Sequence, residues 1–354
     1  MANLETQLLD EMIVKSRRKM LTFGAASLAG LMAGSFKSAE AQAATYTDSD
    51  ILNFALNLEY LEANFYYMAA FGTTIDVANA ASTAAGAPVV TLSGTVGTAG
   101  TVSGGSKVPF TTIEVASYAI ETAIEEGKHV TTLLSALGGS AAAQPEINIG
   151  TSFQTLAAAA NQVTPAGNIP SGFSPYTSDD TFLVGAYVFE DVGVTAYHGA
   201  ASLLTTSSNL VVAAGILSVE AYHAGLIRTT LNYLDPDGSQ GLVGYTTSIS
   251  NLRSALSQAG LLGVAPSATS YDANPDDYGL ATFTTPTSLG GGSPATATRL
   301  VDANPADVVA FARNPTQVLN IVTGGGAVSG STAVSPAKGV FYPNGMNAGP
   351  NGFK

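Results

Sequence analysis

The chain has 354 residues, 46% of them hydrophobic and only 11% charged, with no cysteine, no tryptophan and a formal net charge of −13. This composition can bury a sizeable core, and it excludes disulfides and thiolate metal sites. The acidic balance leaves no basic surface to hold nucleic acid.

The first 43 residues read as an export signal and not as part of the fold. Lys15-Ser16-Arg17-Arg18-Lys19 is a twin-arginine pattern, an uncharged apolar run follows from Leu21 to Phe36, and Ala41-Gln42-Ala43 is a small-x-small cleavage site. An uncut membrane anchor is the alternative, although sixteen apolar residues rich in Ala and Gly fall short of a comfortable span. The expectation is a periplasmic or secreted protein with no membrane attachment once the signal is cut.

Asp48 and Ser49 are N-cap candidates for a first long helix that closes at Gly72. Residues 73–109 turn to Ala, Gly, Thr, Ser and Val and predict a loop insertion with weak strands or irregular structure. The capping box Thr111-x-x-Glu114 starts a second helix that runs to Gly138-Gly139. A short helix is predicted over 152–161, and a third long helix from about Ser178 to Leu204. After a polar turn at 205–209 comes a fourth, ending at Asp235-Pro236-Asp237-Gly238. The short turn makes the last two helices antiparallel neighbours, and the longer connections allow an up-down bundle with one crossover.

Beyond Gly238 the chain is rich in Gly, Ser, Thr and Pro, with short helices predicted over 248–258, 305–313 and 315–322. Asn304-Pro305 and Asn314-Pro315 read as N-cap and N1 pairs. The fold class is therefore all-α: a four-helix bundle over 48–238 and a loop-rich C-terminal extension, 239–354, that wraps it.

Glu126-Gly127-Lys128-His129 lies in the second helix, and the same spacing returns as Glu220-Ala221-Tyr222-His223 in the fourth. Residues three apart share a helix face, so each segment aims one carboxylate and one imidazole the same way. The third helix supplies Glu190, and the first offers Glu59 or Glu62, one turn apart. A carboxylate buried there must be paired, protonated or coordinated to a metal, and the near absence of basic residues in these helices favours the last two. One Glu from each of two helices plus Glu-x-x-His from each of two others is the ligand set of dinuclear carboxylate bundles. It suits two iron or manganese ions, and zinc can also bind such donors. His198 reads as a core or surface histidine, Asp191 as solvated or bonded to another helix, and Tyr66, Tyr118, Tyr187 and Tyr222 as core tyrosines.

On these residues the chain resembles the ferritin-like superfamily. Glu59 followed seven residues later by Tyr66 is similar to the first-helix pattern of bacterioferritins and rubrerythrins, and EGKHVTTLLSALG to their second-helix segment. That alignment implies Glu59 as the ligand, with Glu62 a neighbour or alternative. Within the superfamily, LEYLEANFYY, FARNPTQVLNIV and FYPNGMN resemble the desiccation-related ferritin-like proteins. The resemblance implies a ferritin-like four-helix bundle more firmly than any activity. The long insertion, and the expectation that no fifth amphipathic helix packs behind the fourth, speak against a ferritin-type storage shell.

Two functional expectations follow. One is a dinuclear oxidase, ferroxidase or peroxide-consuming protein, with dioxygen or peroxide as the small substrate. The other is a metal-stabilised structural or desiccation-protection protein without turnover. Either could form a homo-oligomer.

Overall fold

The computed structural model describes residues 46–75, 86–163, 168–262, 276–284, 296–305, 307–325 and 339–347; the export-signal segment lies outside them. In chain order the helices are α1 (Asp48–Phe71), α2 (Ile113–Leu137), α3 (Thr151–Val163) and α4 (Asp179–Tyr187). They continue with α5 (Glu190–Ala201), α6 (Ser207–Leu234), α7 (Leu242–Leu262) and α8 (Pro315–Val322). Helix α1 packs along α2, and α5 along α6, while the two pairs approach each other less closely. The side chains that fill the space between them are those of the site described below.

Helix α1 is buried on nearly all faces, the signature of a helix covered on its outer side as well. Its outer stripe is polar and sutured to surrounding backbone. Asn53 donates to Ser140 O (2.9 Å) and accepts from Ala142 N (2.7 Å). Asn57 donates to Asn347 O (2.8 Å) and accepts from Asn347 N (3.0 Å), and Tyr342 donates its hydroxyl to Asn57 O (2.8 Å). The FYPNGMN segment thus lies against the helix that carries Glu59. In the insertion, β1 (Val102–Ser103) pairs in parallel with β2 (Ile147–Asn148), Val102 opposite Ile147. Glycine is required where these backbones meet, since a Cβ on Gly100 would stand 2.1 Å from Glu146 N.

Two helix starts differ from expectation. The N-cap of α1 is Thr47, whose hydroxyl accepts from Asp50 N (3.2 Å) while Asp50 accepts from Thr47 N (2.9 Å). Asp48 is thereby free to accept from Thr205 N (2.8 Å) and Thr206 N (2.9 Å), tying the α5–α6 turn to the start of α1. At α2 the predicted Thr111–Glu114 capping box does not form, and the N-cap is Thr112. Thr111 N and Thr112 N donate instead to Asp179 at the start of α4 (3.1 and 2.9 Å). One ionised carboxylate from a neighbouring helix satisfies both donors and complements the α2 dipole, which a local box cannot better.

The third long helix is broken at Val188-Phe189, where the chain tightens into i→i+3 bonds: Val188 N to Gly185 O (3.1 Å) and Phe189 N to Ala186 O (2.9 Å). The carbonyl freed at Tyr187 accepts from Arg253 Nη1 of α7 (2.6 Å), so a side chain inserted into the ladder accounts for the break.

A fifth long helix exists. The expected short helix at 248–258 extends over all of α7, which lies chiefly against α3 and α8 and only slightly against α6. Its buried face interleaves Leu242, Ile249, Leu252 and Leu256 with Thr246, Ser250, Ser254 and Ser257, and these buried hydroxyl residues are why hydrophobic periodicity underestimates it. Helix α8 begins as expected, with Asn314 accepting from Gln317 N (3.0 Å) and Pro315 in the first turn. Residues 307–313, however, form no helix. They turn at Asp307-Val308, where Val308 has φ +58°, and carry on with Ala303 bridged to Ala310 and Arg313 N donating to Thr195 O (3.0 Å), because Arg313 must reach a buried carboxylate cluster. Strands β3 (Thr282–Thr284) and β4 (Thr296–Thr298) form a small antiparallel pair.

That cluster joins the extension to the bundle. Asp191 Oδ2 accepts from Arg228 Nη1 and Arg253 Nη2 (2.9 Å each), and Arg253 Nη2 also donates to Asp277 Oδ1 (2.8 Å). Arg313 Nη2 donates to Asp277 Oδ2 (2.9 Å). Tyr187 lies under both Arg228 and Arg253, with guanidinium carbons 5.5 and 4.7 Å from its ring centroid. Asp191 is therefore bonded to two other helices.

Candidate metal centre

The i,i+3 spacing places Glu126 and His129 on one face of α2, and Glu220 and His223 on one face of α6. Glu59 of α1 and Glu190 of α5 complete the constellation, and all six residues are buried. His129 Nδ1 stands 3.3 Å from Glu59 Oε2, 3.5 Å from Glu126 Oε2 and 3.2 Å from Glu220 Oε1. His223 Nδ1 stands 3.2 Å from Glu126 Oε1 and 3.3 Å from Glu190 Oε2.

Potential donor atoms within 4.8 Å of one another form two groups: Glu59, Glu126, His129 and Glu220, and Glu126, Glu190, Glu220 and His223. Glu126 and Glu220 belong to both. Glu62 is buried beside them but belongs to neither group, whereas the sequence left Glu59 and Glu62 as alternatives. His198 is also outside them, half-buried with Nδ1 3.2 Å from Phe311 O.

The residues fit metal ions by a test internal to the structure. Eight inward-facing atoms are buried without a hydrogen-bond partner: Glu59 Oε2, Glu190 Oε2, both carboxylate oxygens of Glu126 and of Glu220, and both histidine Nδ1 atoms. An orphaned buried polar group costs about 1–3 kcal/mol, so eight converging on one point require a shared partner.

Three outward atoms, in contrast, are satisfied. Tyr66 donates its hydroxyl to Glu190 Oε1, and Tyr197 donates its hydroxyl to Glu59 Oε1. His223 Nε2 lies 2.8 Å from Glu125 Oε2. Tyr66 therefore does more than fill the core, while Tyr187 belongs to the arginine cluster, Tyr118 is half-buried and Tyr222 is exposed. Sequence reasoning missed Tyr197 and Glu125. Tyr197 had a readable signal, for it follows Glu190 by seven residues as Tyr66 follows Glu59.

Electrostatics in the absence of cations point the same way. Burial pushes the Glu59 carboxyl up to about 7, although His129 beside it opposes the shift. Burial drives Glu62 and Glu220 far above the usual carboxylate range, and the other glutamates reinforce it. Burial acts on Glu126 too, but His129 and His223 outweigh it and hold that carboxyl low. Burial would lower both imidazoles, yet Glu126 and Glu59 raise His129, and Glu190 and Glu126 raise His223. The pocket lacks positive charge and draws protons to make it good. In a third carboxylate group, Asp191, Asp277 and Asp302, arginines serve two members: Arg228 and Arg253 pair with Asp191, and Arg253 and Arg313 with Asp277, while burial raises the Asp302 carboxyl.

A family model described as the ferritin-like domain matches residues 47–233, the span that contains every residue of the two donor groups. The chain belongs to the ferritin-like domain family. A desiccation-related protein from Craterostigma plantagineum, PCC13-62, is 30% identical over 226 residues, covering 61% of this chain and 64% of that protein, just under two thirds of its length. The ferritin-like catalase Nec2 from Nesocodon mauritianus is 26% identical over 308 residues, covering 85% of this chain and 83% of that protein. No solved structure matches the chain significantly. A ferritin-like fold with buried carboxylate and imidazole groups suggests metal binding in this bundle.

Proposed function

We propose that the chain is an exported dinuclear metal protein whose iron or manganese centre consumes peroxide. The observation that carries this reading is the set of eight orphaned donor atoms converging between the two helix pairs. On it, Glu59 and His129 would hold one ion and Glu190 and His223 the other, with Glu126 and Glu220, which belong to both donor groups, available to each. Two divalent cations would balance these four carboxylates with both imidazoles neutral, removing the charge deficit. Glu62 stands beside the ions as a neighbour or alternative ligand. When bound, such a pair supplies electron exchange with the oxygen atoms of peroxide or dioxygen.

The chain's own residues prepare the site. Tyr66 and Tyr197 each hold one oxygen of a terminal carboxylate, leaving the other oxygen to face inward. Glu125 accepts from His223 Nε2–H and so fixes the tautomer that presents the Nδ1 lone pair. Burial of all six residues keeps bulk water from the centre.

Peroxide disproportionation needs no external reductant, which suits an exported chain without a cysteine relay, and a relative that bears the name of a catalase aligns with most of the chain. Ferrous oxidation by dioxygen is the neighbouring activity of the same centre. The likeness to a desiccation-related protein favours a second reading, a metal-stabilised protective protein without turnover. Elemental analysis of protein purified from its own host, followed by assays of peroxide consumption and ferrous oxidation, separates them. Two bound metals with neither activity would overturn the catalytic reading and leave the protective one. The twin-arginine pattern supports export of the folded chain, and cell fractionation tests it.

A further inference from the structure

The bundle is not filled on the α1–α5 side of the candidate centre. A cavity of about 40 Å³ lies there, walled by Leu58 of α1, Phe153 and Ala157 of α3, Phe189 and Val192 around the broken third helix, and Leu252 of α7. Its inner wall includes Glu62 and Gly193.

Gly193 occupies the position on α5 that Glu62 occupies on α1, three residues after the glutamate of each helix. A Cβ there would stand 2.7 Å from Glu220 Oε2, so the residue that lines the cavity at this point also backs directly onto a carboxylate of both donor groups.

We propose that this cavity is a dioxygen site serving the metal centre, an inference that rests on the metal reading above. Size and chemistry carry it. About 10–15 Å³ accommodates one water-sized molecule, so 40 Å³ takes one or two diatomic molecules and nothing much larger. The lining is almost entirely apolar. The Nη atoms of Arg253 are taken by Tyr187 O, Asp191 and Asp277, which leaves its Nε as the one guanidinium nitrogen without a partner. A small apolar cavity favours a nonpolar gas over water or peroxide, which need hydrogen-bond partners. Dioxygen is the product of peroxide disproportionation and the oxidant in ferrous oxidation, so either activity requires a path for it. The rim at Leu156 and Val188 is half-buried, and Val188 belongs to the break that interrupts the third helix.

Crystals of the full chain held under xenon test this, with metal content measured from anomalous scattering on the same crystals. The expected result is xenon between Leu58, Ala157 and Val192 in the wild type and none in Ala157→Leu, with equal metal content in both. Leu252→Phe fills the cavity from the opposite wall and serves should the first variant fail to fold. Metal present with no xenon, ordered water in the cavity, or xenon undiminished in a folded filled variant would overturn the cavity inference alone. Xenon bound in protein that cannot be loaded with metal would overturn the metal reading, and with it the cavity's service to the centre.

Discussion

Tyr197 of α5 donates its hydroxyl to Glu59 of α1, across the bundle from the helix that carries it. The bond is returned in mirror fashion by Tyr66 of α1, which donates to Glu190 of α5. Each glutamate is thus oriented by the tyrosine seven residues after the other, and the two helices that give no histidine to the donor groups are cross-linked around the site. Replacing either tyrosine by phenylalanine leaves one buried carboxylate oxygen without its donor. Loss of such an orienting partner costs about 10- to 100-fold in metal affinity. Tyr197→Phe and Tyr66→Phe are expected to fall in that range in chelator-competition titrations, with helical content unchanged.

Removing a donor itself has a larger effect. Glu126→Ala and His223→Ala are expected to lower both metal content and melting temperature, because metal held only by the native state adds its binding free energy to folding. His198→Ala should change neither appreciably, since His198 lies outside both donor groups. Elemental analysis and calorimetry on the three variants check this. Full occupancy and an unaltered melting temperature in both ligand variants would show that metal binds elsewhere.

Gly193→Ala sends a methyl group towards Glu220 Oε2, only 2.7 Å from the Cβ position. The carboxylate must shift, so this single methyl is expected to reduce metal retention, whereas Gly215→Ala on the open side of α6 should not. Dialysis against chelator followed by metal quantification distinguishes them.

The arginine cluster predicts a stability effect independent of metal. Arg253→Met leaves Asp191 and Asp277 buried without one of their partners, and breaking a buried ion pair from one side costs about 3–5 kcal/mol. Lys128→Ala on the exposed face of α2 should stay within about 0.5 kcal/mol of wild type. Urea denaturation of chelator-treated protein measures both.

Asp48 and Asp179 predict an acid dependence. Burial alone would raise their carboxyls, but hydrogen bonds outweigh it: those from Thr205, Thr206 and Asn209 to Asp48, and from Thr111 and Thr112 to Asp179. Both sit below the ordinary aspartate value of 3.8 in the folded chain. A depressed folded value contributes stability that is complete above the unfolded value and is lost as pH falls through the folded one. The melting-temperature gap between wild type and Asp48→Asn/Asp179→Asn is therefore expected to be constant at neutral pH and to close below about pH 4. A gap that widened in acid would contradict the assignment.

The amino-acid sequence by itself determined the bundle and the chemistry it carries. Apolar periodicity and helix-end residues mark α1, α2, α6 and α8 because those signals are local, set by residues a few positions apart. The two Glu-x-x-His segments are local in the same sense, as is the scarcity of lysine and arginine around them. Tertiary structure alone decided what depends on residues far apart in the chain. It set Glu59 and not Glu62 beside His129, and it joined Tyr197 to Glu59 over an interval of 138 residues. The full length of α7 was hidden because Ser and Thr interrupt the apolar residues of its buried face, satisfied by partners such as Tyr187, whose hydroxyl lies 2.7 Å from Ser250 Oγ. The break in the third helix was hidden because Arg253, which holds the freed carbonyl, lies 66 residues further along. A local pattern states which groups a helix will bury, and only the assembled core states which distant group satisfies each of them.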